Sequence, residues 1–106
     1  MKILIMGAGK MGSFFIDLLS FDHEVAVYEK DSKRMRFTYN CQRFTKLEEV
    51  KGFTPELVIN AVTVKNTLSA FCEILPYLSS DCIISDIASV KTGLKAFYEQ
   101  SGHPYV

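Results

Sequence analysis

Six residues near the amino terminus, Gly7-Ala8-Gly9-Lys10-Met11-Gly12, form a G-x-G-x-x-G. Each glycine has its own task in that spacing. Gly7 permits a tight turn, Gly9 lets a phosphate approach the backbone, and Gly12 lets a following helix pack closely on a sheet. A helix starting there adds unpaired N–H groups and a partial positive charge, which together bind anions. A carboxylate lies at the matching distance. Glu29 stands 22 residues after Gly7, near the ~20 expected of the group that accepts the hydroxyls of an adenosine ribose. The combination predicts dinucleotide binding, with Gly7, Ala8, Gly9, Lys10, Met11, Gly12 and Glu29 as candidate contacts.

Glu29 also bears on the choice of dinucleotide. A carboxylate that holds both ribose hydroxyls repels a 2′-phosphate, so NAD is expected over NADP. Lys30, Lys33 and Arg34 follow, and either offset that repulsion or form a solvated basic face on a short helix.

A second group of candidates is Ser85-Asp86-Ile87-Ala88-Ser89-Val90-Lys91-Thr92-Gly93, which follows an apolar run. In open α/β sheets ligands bind outside the carboxyl ends of the strands, so this loop is expected to face the reactive end of the cofactor. Ser89 either hydrogen-bonds a substrate hydroxyl or caps the helix starting at Val90. Lys91 is placed to attract a substrate carboxylate. Asp86 is a cofactor-side candidate or a structural acceptor for loop N–H groups. Val62 and Thr63, after another apolar run, are further cofactor candidates. Thr63 lines the nicotinamide side or caps a helix.

The two histidines are poor candidates for an acid–base catalyst. His103 lies at the amino-terminal start of an expected last strand, whereas Ser89 follows the carboxyl end of its neighbour. For five-residue parallel strands these ends are about 17 Å apart at 3.3 Å per residue. Acid–base catalysis needs hydrogen-bond reach of ~3 Å, or one water more. His23 falls in a turn on the same far side. No Cys/His spacing forms a metal site.

These groups are positioned by strands and helices that alternate along the chain. Lys2–Met6 is an apolar strand ending at Gly7, and Met11, Phe14, Phe15, Leu18 and Leu19 share one face of a first helix. Glu24–Tyr28 is a second strand, and a polar helix or turn follows over 31–39. Gln42–Thr45 reads as a third strand, Leu47–Val50 as a short helix ended by Gly52, and Leu57–Val62 as a fourth strand. Val64, Thr67, Leu68, Phe71 and Leu75 mark a helix that stops near Pro76. Cys82–Ser85 is a fifth strand, and Val90, Leu94, Phe97 and Tyr98 mark a helix capped by Gly102. His103–Val106 begins a sixth strand. The pattern predicts an α/β fold: a Rossmann-type, doubly wound parallel sheet in three α/β/α layers, incomplete at its carboxyl end.

At 106 residues, 48% of them hydrophobic and 23% charged, the chain suits one globular domain. Twelve basic and twelve acidic residues cancel, which removes any net field toward nucleic acid or an anionic membrane. No run approaches the ~20 apolar residues that span a bilayer. Cys41, Cys72 and Cys82 are odd in number and read as reduced thiols, implying a cytoplasmic protein. An ending inside a strand leads to the expectation that residues 1–106 are the amino-terminal part of a longer two-domain enzyme.

The sequence resembles the amino-terminal nucleotide-binding part of prephenate dehydrogenases over essentially its whole length. The resemblance rests on Ile3–Gly12, on Leu57–Val62 and above all on Asp86-Ile87-Ala88-Ser89-Val90-Lys91. It implies oxidative decarboxylation of prephenate to 4-hydroxyphenylpyruvate with NAD, a step of tyrosine biosynthesis. It further implies that Ser89 orients the substrate's ring hydroxyl and a catalytic histidine. The family carries that histidine in a His-Pro-Met-x-Gly segment, which His103-Pro104-Tyr105-Val106 does not match, so the histidine is expected beyond Val106. A helical carboxyl-terminal domain that builds a homodimer and closes the substrate site is implied as well.

Rival readings are an arogenate dehydrogenase and the cofactor domain of a 6-phosphogluconate-, 3-hydroxyisobutyrate- or ketopantoate-type enzyme. The Ser89-Val90-Lys91 segment disfavours the last three. A non-enzymatic rival is a stand-alone NAD-sensing module, which would finish its sheet within usual domain sizes.

Overall fold

The computed structural model describes residues 1–30, 41–62, 66–87 and 93–106. Strand β1 (Lys2–Met6) leads into helix α1 (Lys10–Leu19), which returns to β2 (Glu24–Tyr28). Strand β3 (Gln42–Phe44), helix α2 (Leu47–Phe53) and strand β4 (Leu57–Asn60) follow. Helix α3 (Thr67–Ile74) runs into a 3₁₀ turn over Leu75–Tyr77, then β5 (Ile83–Asp86) and α4 (Leu94–Ser101). Among the described residues five strands form one parallel sheet in the order β3-β2-β1-β4-β5. This is the Rossmann-like doubly wound arrangement expected from the alternation.

The winding has a physical cause. A right-handed crossover from β1 outward to β2 puts α1 on one face, and crossovers in the other direction put α2, α3 and α4 on the opposite face. The buried side chains divide accordingly, because successive strand residues point to alternate faces. Ile3, Ile5, Val25 and Val27 pack with Ile16 of α1. Leu4, Met6, Ala26, Val58 and Ile84 pack with Val50 and Phe53, Phe71 and Ile74, and Leu94 and Tyr98 of the other three helices. Phe71 is wholly buried and stacks on Phe97 at 5.2 Å between ring centres. Burial of one such side chain contributes about 1.5–3 kcal/mol.

Several boundaries differ from the sequence expectation. In α1 the buried residues are Gly12 and Ile16, with Phe15 and Leu19 partly buried beside them. Met11, Phe14 and Leu18 face solvent at 49%, 55% and 57% exposure. Helix α2 runs through Gly52 to Phe53 and ends on Thr54 in the left-handed region at φ 51°. Burial of Phe53 against Phe44, 5.6 Å between ring centres, explains the extra length. Strand β4 stops at Asn60, and β5 begins at Ile83. Thr67, Phe71 and Ile74 are the buried residues of α3, and Leu68 is exposed. Of the expected last strand only Tyr105 pairs, bridging Ile84 in parallel.

Candidate functional site

The chain moves outward from β1 to β2 in one direction and reaches β4 on the other side, so the winding reverses between β1 and β4. Ligands of open α/β sheets bind at that reversal, beyond the carboxyl ends of the strands. The register makes those ends flush: Met6 is opposite both Tyr28 and Asn60. The ladder continues one step further, with the Gly7 amide donating to the Tyr28 carbonyl at 2.9 Å and the Ala61 amide to the Met6 carbonyl at 2.8 Å. A cavity of about 430 Å³ opens there, within the range of small-ligand sites.

Gly7 turns the chain at φ +95°, a conformation costly for any residue with a Cβ. Gly12 sits directly beneath, where an added Cβ would lie 2.0 Å from the Gly7 carbonyl oxygen. Gly9 is the opposite case. It lines the cavity, and an added Cβ would meet nothing within 4 Å, so the space beside its backbone is open. Gly9 is also the N-cap of α1, with no side-chain cap and no acidic residue in the first turn. The positive end of α1 is therefore directed at the loop without a protein carboxylate of its own helix to neutralise it.

Glu29 continues from β2, and its backbone N–H donates to the Phe44 carbonyl at 3.0 Å, which fixes the strand end. Its side chain reaches the glycine loop: the Ala8 amide donates to Oε1 at 3.1 Å. A carboxylate and the open space beside Gly9 thus both border the cavity. Met6, Leu47, Val62 and Ala70 supply apolar walls.

The opposite rim is built by α3. Asn66, Ser69, Ala70 and Glu73 recur at i, i+3, i+4 and i+7 and line the cavity. Glu73 accepts a hydrogen bond from the Tyr28 hydroxyl at 3.3 Å and pairs with the Lys30 ammonium at 2.6 Å. Burial, and then the Glu73 carboxylate beside it, push the Tyr28 phenol up to about 12, with Glu29 and Glu48 adding to the effect. Tyr28 is therefore a proton donor throughout the neutral range. Asn60, buried at the end of β4, donates through Nδ2 to the Thr67 carbonyl at 3.0 Å and accepts from the Val62 amide at 3.3 Å. It ties the β4 end to the start of α3, the helix that forms the opposite rim of the cavity.

Gly7, Gly9, Glu29 and Val62 line the cavity among the sequence candidates, and Ala8 joins it through its bond to Glu29. Lys10 and Met11 lie on the exposed first turn of α1 and do not line it. Asp86 ends β5 away from the cavity and accepts a hydrogen bond from the Tyr98 hydroxyl, fastening β5 to α4. Thr63, Ser89 and Lys91, with Lys33 and Arg34, lie outside the described residues. His103 places Nδ1 3.1 Å from the Cys82 carbonyl, just before β5, and His23 immediately precedes β2. Both histidines are thus at the amino-terminal edge of the sheet.

Asn60 and Glu73 are not among the candidates that the sequence offers. A lone amide in the apolar run Leu57–Val62 was a readable signal for Asn60. Glu73 belongs to a polar and small-residue stripe beside the apolar one on α3, a weaker signal.

No family model matches the sequence, and no curated protein matches it. Among solved structures, prephenate dehydrogenase from Aquifex aeolicus, in complex with hydroxyphenyl propionate and NAD+, superposes with a TM-score of 0.81 at 26% identity. The match covers 94% of this chain and 37% of that one. Arogenate dehydrogenase from Synechocystis gives 0.80 at 23% identity, over 95% of this chain and 37% of the other. The 3-hydroxyisobutyrate dehydrogenase of Mycobacterium tuberculosis gives 0.81 at 17% identity, over 98% and 38%. The two likenesses below 25% identity are likenesses of fold. The chain spans a little over a third of the length of these dehydrogenases. Among the described residues no helix is long and apolar enough to cross a membrane.

Proposed function

We propose that this chain is the NAD-binding part of a prephenate dehydrogenase, in which prephenate is oxidatively decarboxylated to 4-hydroxyphenylpyruvate. The observation that carries the cofactor reading is the meeting of Glu29 with the Gly7–Gly12 loop at the reversal of the sheet. The likeness to the Aquifex aeolicus enzyme, together with Asp86–Lys91, supports the choice of substrate.

The residues present fit the dinucleotide. Gly9 leaves room at the helix N-terminus for the pyrophosphate, and Glu29 offers its carboxylate to the adenosine ribose. Met6, Leu47, Val62 and Ala70 supply an apolar surface for the bound nucleoside. When bound, the cofactor supplies the hydride acceptor, and the protein supplies position and electrostatics. Ser89 and Lys91 are proposed to orient the substrate's ring hydroxyl and a carboxylate, and a histidine outside these 106 residues to take the hydroxyl proton. Aromatisation on loss of carbon dioxide then drives the reaction. The whole protein is proposed to work in the cytoplasm as a homodimer, joined through a helical domain that these residues do not include.

Thermal unfolding with added dinucleotide tests this reading. At a hundredfold excess over the dissociation constant NAD stabilises a binding chain by about 2.7 kcal/mol, which raises the melting temperature by roughly 10 °C or more for a domain of this size. With prephenate also present, the 106 residues alone are expected to form no NADH, since both histidines lie at the wrong edge of the sheet. An unchanged melting temperature, or rapid NADH formation, contradicts the proposal. Oxidation of arogenate rather than prephenate by the whole protein would favour the arogenate reading.

A further inference from the structure

The Lys30–Glu73 ion pair spans the mouth of the cavity from the β2 side to α3, with Nζ and Oε2 2.6 Å apart. Lys30 directly follows Glu29, and it is the one cation that lines the cavity among the described residues. The Tyr28 hydroxyl holds the other oxygen of Glu73 at 3.3 Å, so the carboxylate is fixed from two directions. Tyr28 itself is buried and anchored in β2.

We propose that Glu73 is a specificity-determining residue for the dinucleotide, an inference that rests on the NAD-binding reading above. Glu73 draws the Lys30 ammonium toward α3 and places a second carboxylate across from Glu29. A ribose 2′-phosphate carries a charge of about −1.5 to −2 near neutral pH and needs cations at this wall. It meets two carboxylates, with Lys30 already engaged. A ribose bearing free hydroxyls carries no such charge and is accepted. Discrimination against NADP is thus shared between Glu29, which acts at the ribose, and Glu73, which acts by holding Lys30.

The test is a calorimetric titration of the 106-residue chain with NAD and with NADP, on the wild type, Glu73→Gln and the double variant Glu73→Gln/Lys30→Met. The readout is the ratio of NADP to NAD affinity, because Lys33 and Arg34 are common to all three proteins. Glu73 is a partly exposed surface residue, so the variants are expected to fold. Glu73→Gln is expected to raise the ratio about three- to tenfold, the size of one partly exposed charge interaction released and one repulsion removed. Loss of Lys30 as well is expected to return most of that gain. An unchanged ratio in Glu73→Gln overturns the inference, as does a double variant that keeps the full gain. A wild type that binds NAD alongside either result leaves the dinucleotide reading standing, whereas a folded wild type that binds neither dinucleotide overturns both.

Discussion

Two glycines of the same loop are expected to fail in opposite ways. At Gly12 a methyl group would sit 2.0 Å from the Gly7 carbonyl oxygen, a backbone atom that moves only if the loop and α1 separate. Gly12→Ala is therefore expected to destabilise the fold by roughly 2–3 kcal/mol, as overpacking does. At Gly9 the added methyl meets nothing within 4 Å, so Gly9→Ala should leave stability within about 0.5 kcal/mol. It should nevertheless weaken NAD at least about tenfold, because the methyl fills the space beside the helix N-terminus. Urea unfolding and NAD titration of both variants check this, and equal loss of stability in the two would contradict it. At this scale the meeting of Glu29 with the glycine loop was legible, because it follows from short spacings along the chain. Glu73 was not, since only the order of the strands brings α3 across from the end of β2.

Helix α1 shows what periodicity leaves open. The expected face of Met11, Phe14, Phe15, Leu18 and Leu19 is split: Phe15 and Leu19 pack beside Gly12 and Ile16, whereas Met11, Phe14 and Leu18 face solvent. The glycine decides, because only a residue without a Cβ fits beneath the Gly7 carbonyl, and the helix turns accordingly. Helix α2 likewise passes through Gly52 because Phe53 has a buried aromatic partner, a tertiary contact that outweighs the local stop signal. Asn60 closes strand β4, and its side chain bonds the backbone ahead of it, accepting from Val62 and donating to Thr67. Asn60→Ala removes both bonds and is expected to cost about 1–3 kcal/mol. By loosening α3 from β4 it should also weaken NAD more than a core change at least as destabilising, Ile74→Ala, does, when both are compared where the proteins are fully folded. Equal affinity in the two variants would show that the tie between β4 and α3 does not matter to the cofactor.

For the molecule as a whole, the doubly wound sheet was legible from alternation alone, since right-handed crossovers leave few ways to assemble strands and helices in that order. The placement of residues beyond the sheet was not, because a periodicity gives a face and not a neighbour. The neighbours of strand-end residues were no more legible: Asp86, the last residue of β5, accepts a hydrogen bond from the Tyr98 hydroxyl of α4. The same burial governs alkaline stability. Burial pushes the Cys82 thiol from 9.0 to about 11, and burial with Glu73 pushes the Tyr28 phenol from 10.0 to about 12. Burial and the bond to Asp86 push Tyr98 up as well. Each group's folded value lies above its unfolded one, so the folded chain keeps protons that the unfolded chain releases. Stability from these groups is intact below about pH 9 and falls as pH rises toward 12. Urea midpoints from pH 7 to 11 should be level at first and then decline, less steeply in Tyr98→Phe. A midpoint that rises above pH 9 would contradict the assignment. The central claim, that Glu29 and the Gly7–Gly12 loop form a dinucleotide site, is tested most directly by calorimetric titration of the wild type and Glu29→Ala with NAD. The wild type should bind, and loss of the carboxylate should weaken NAD about ten- to a hundredfold, the cost of losing hydrogen bonds to a charged acceptor. Equal NAD affinity in the two folded proteins, or none in the wild type, would contradict it.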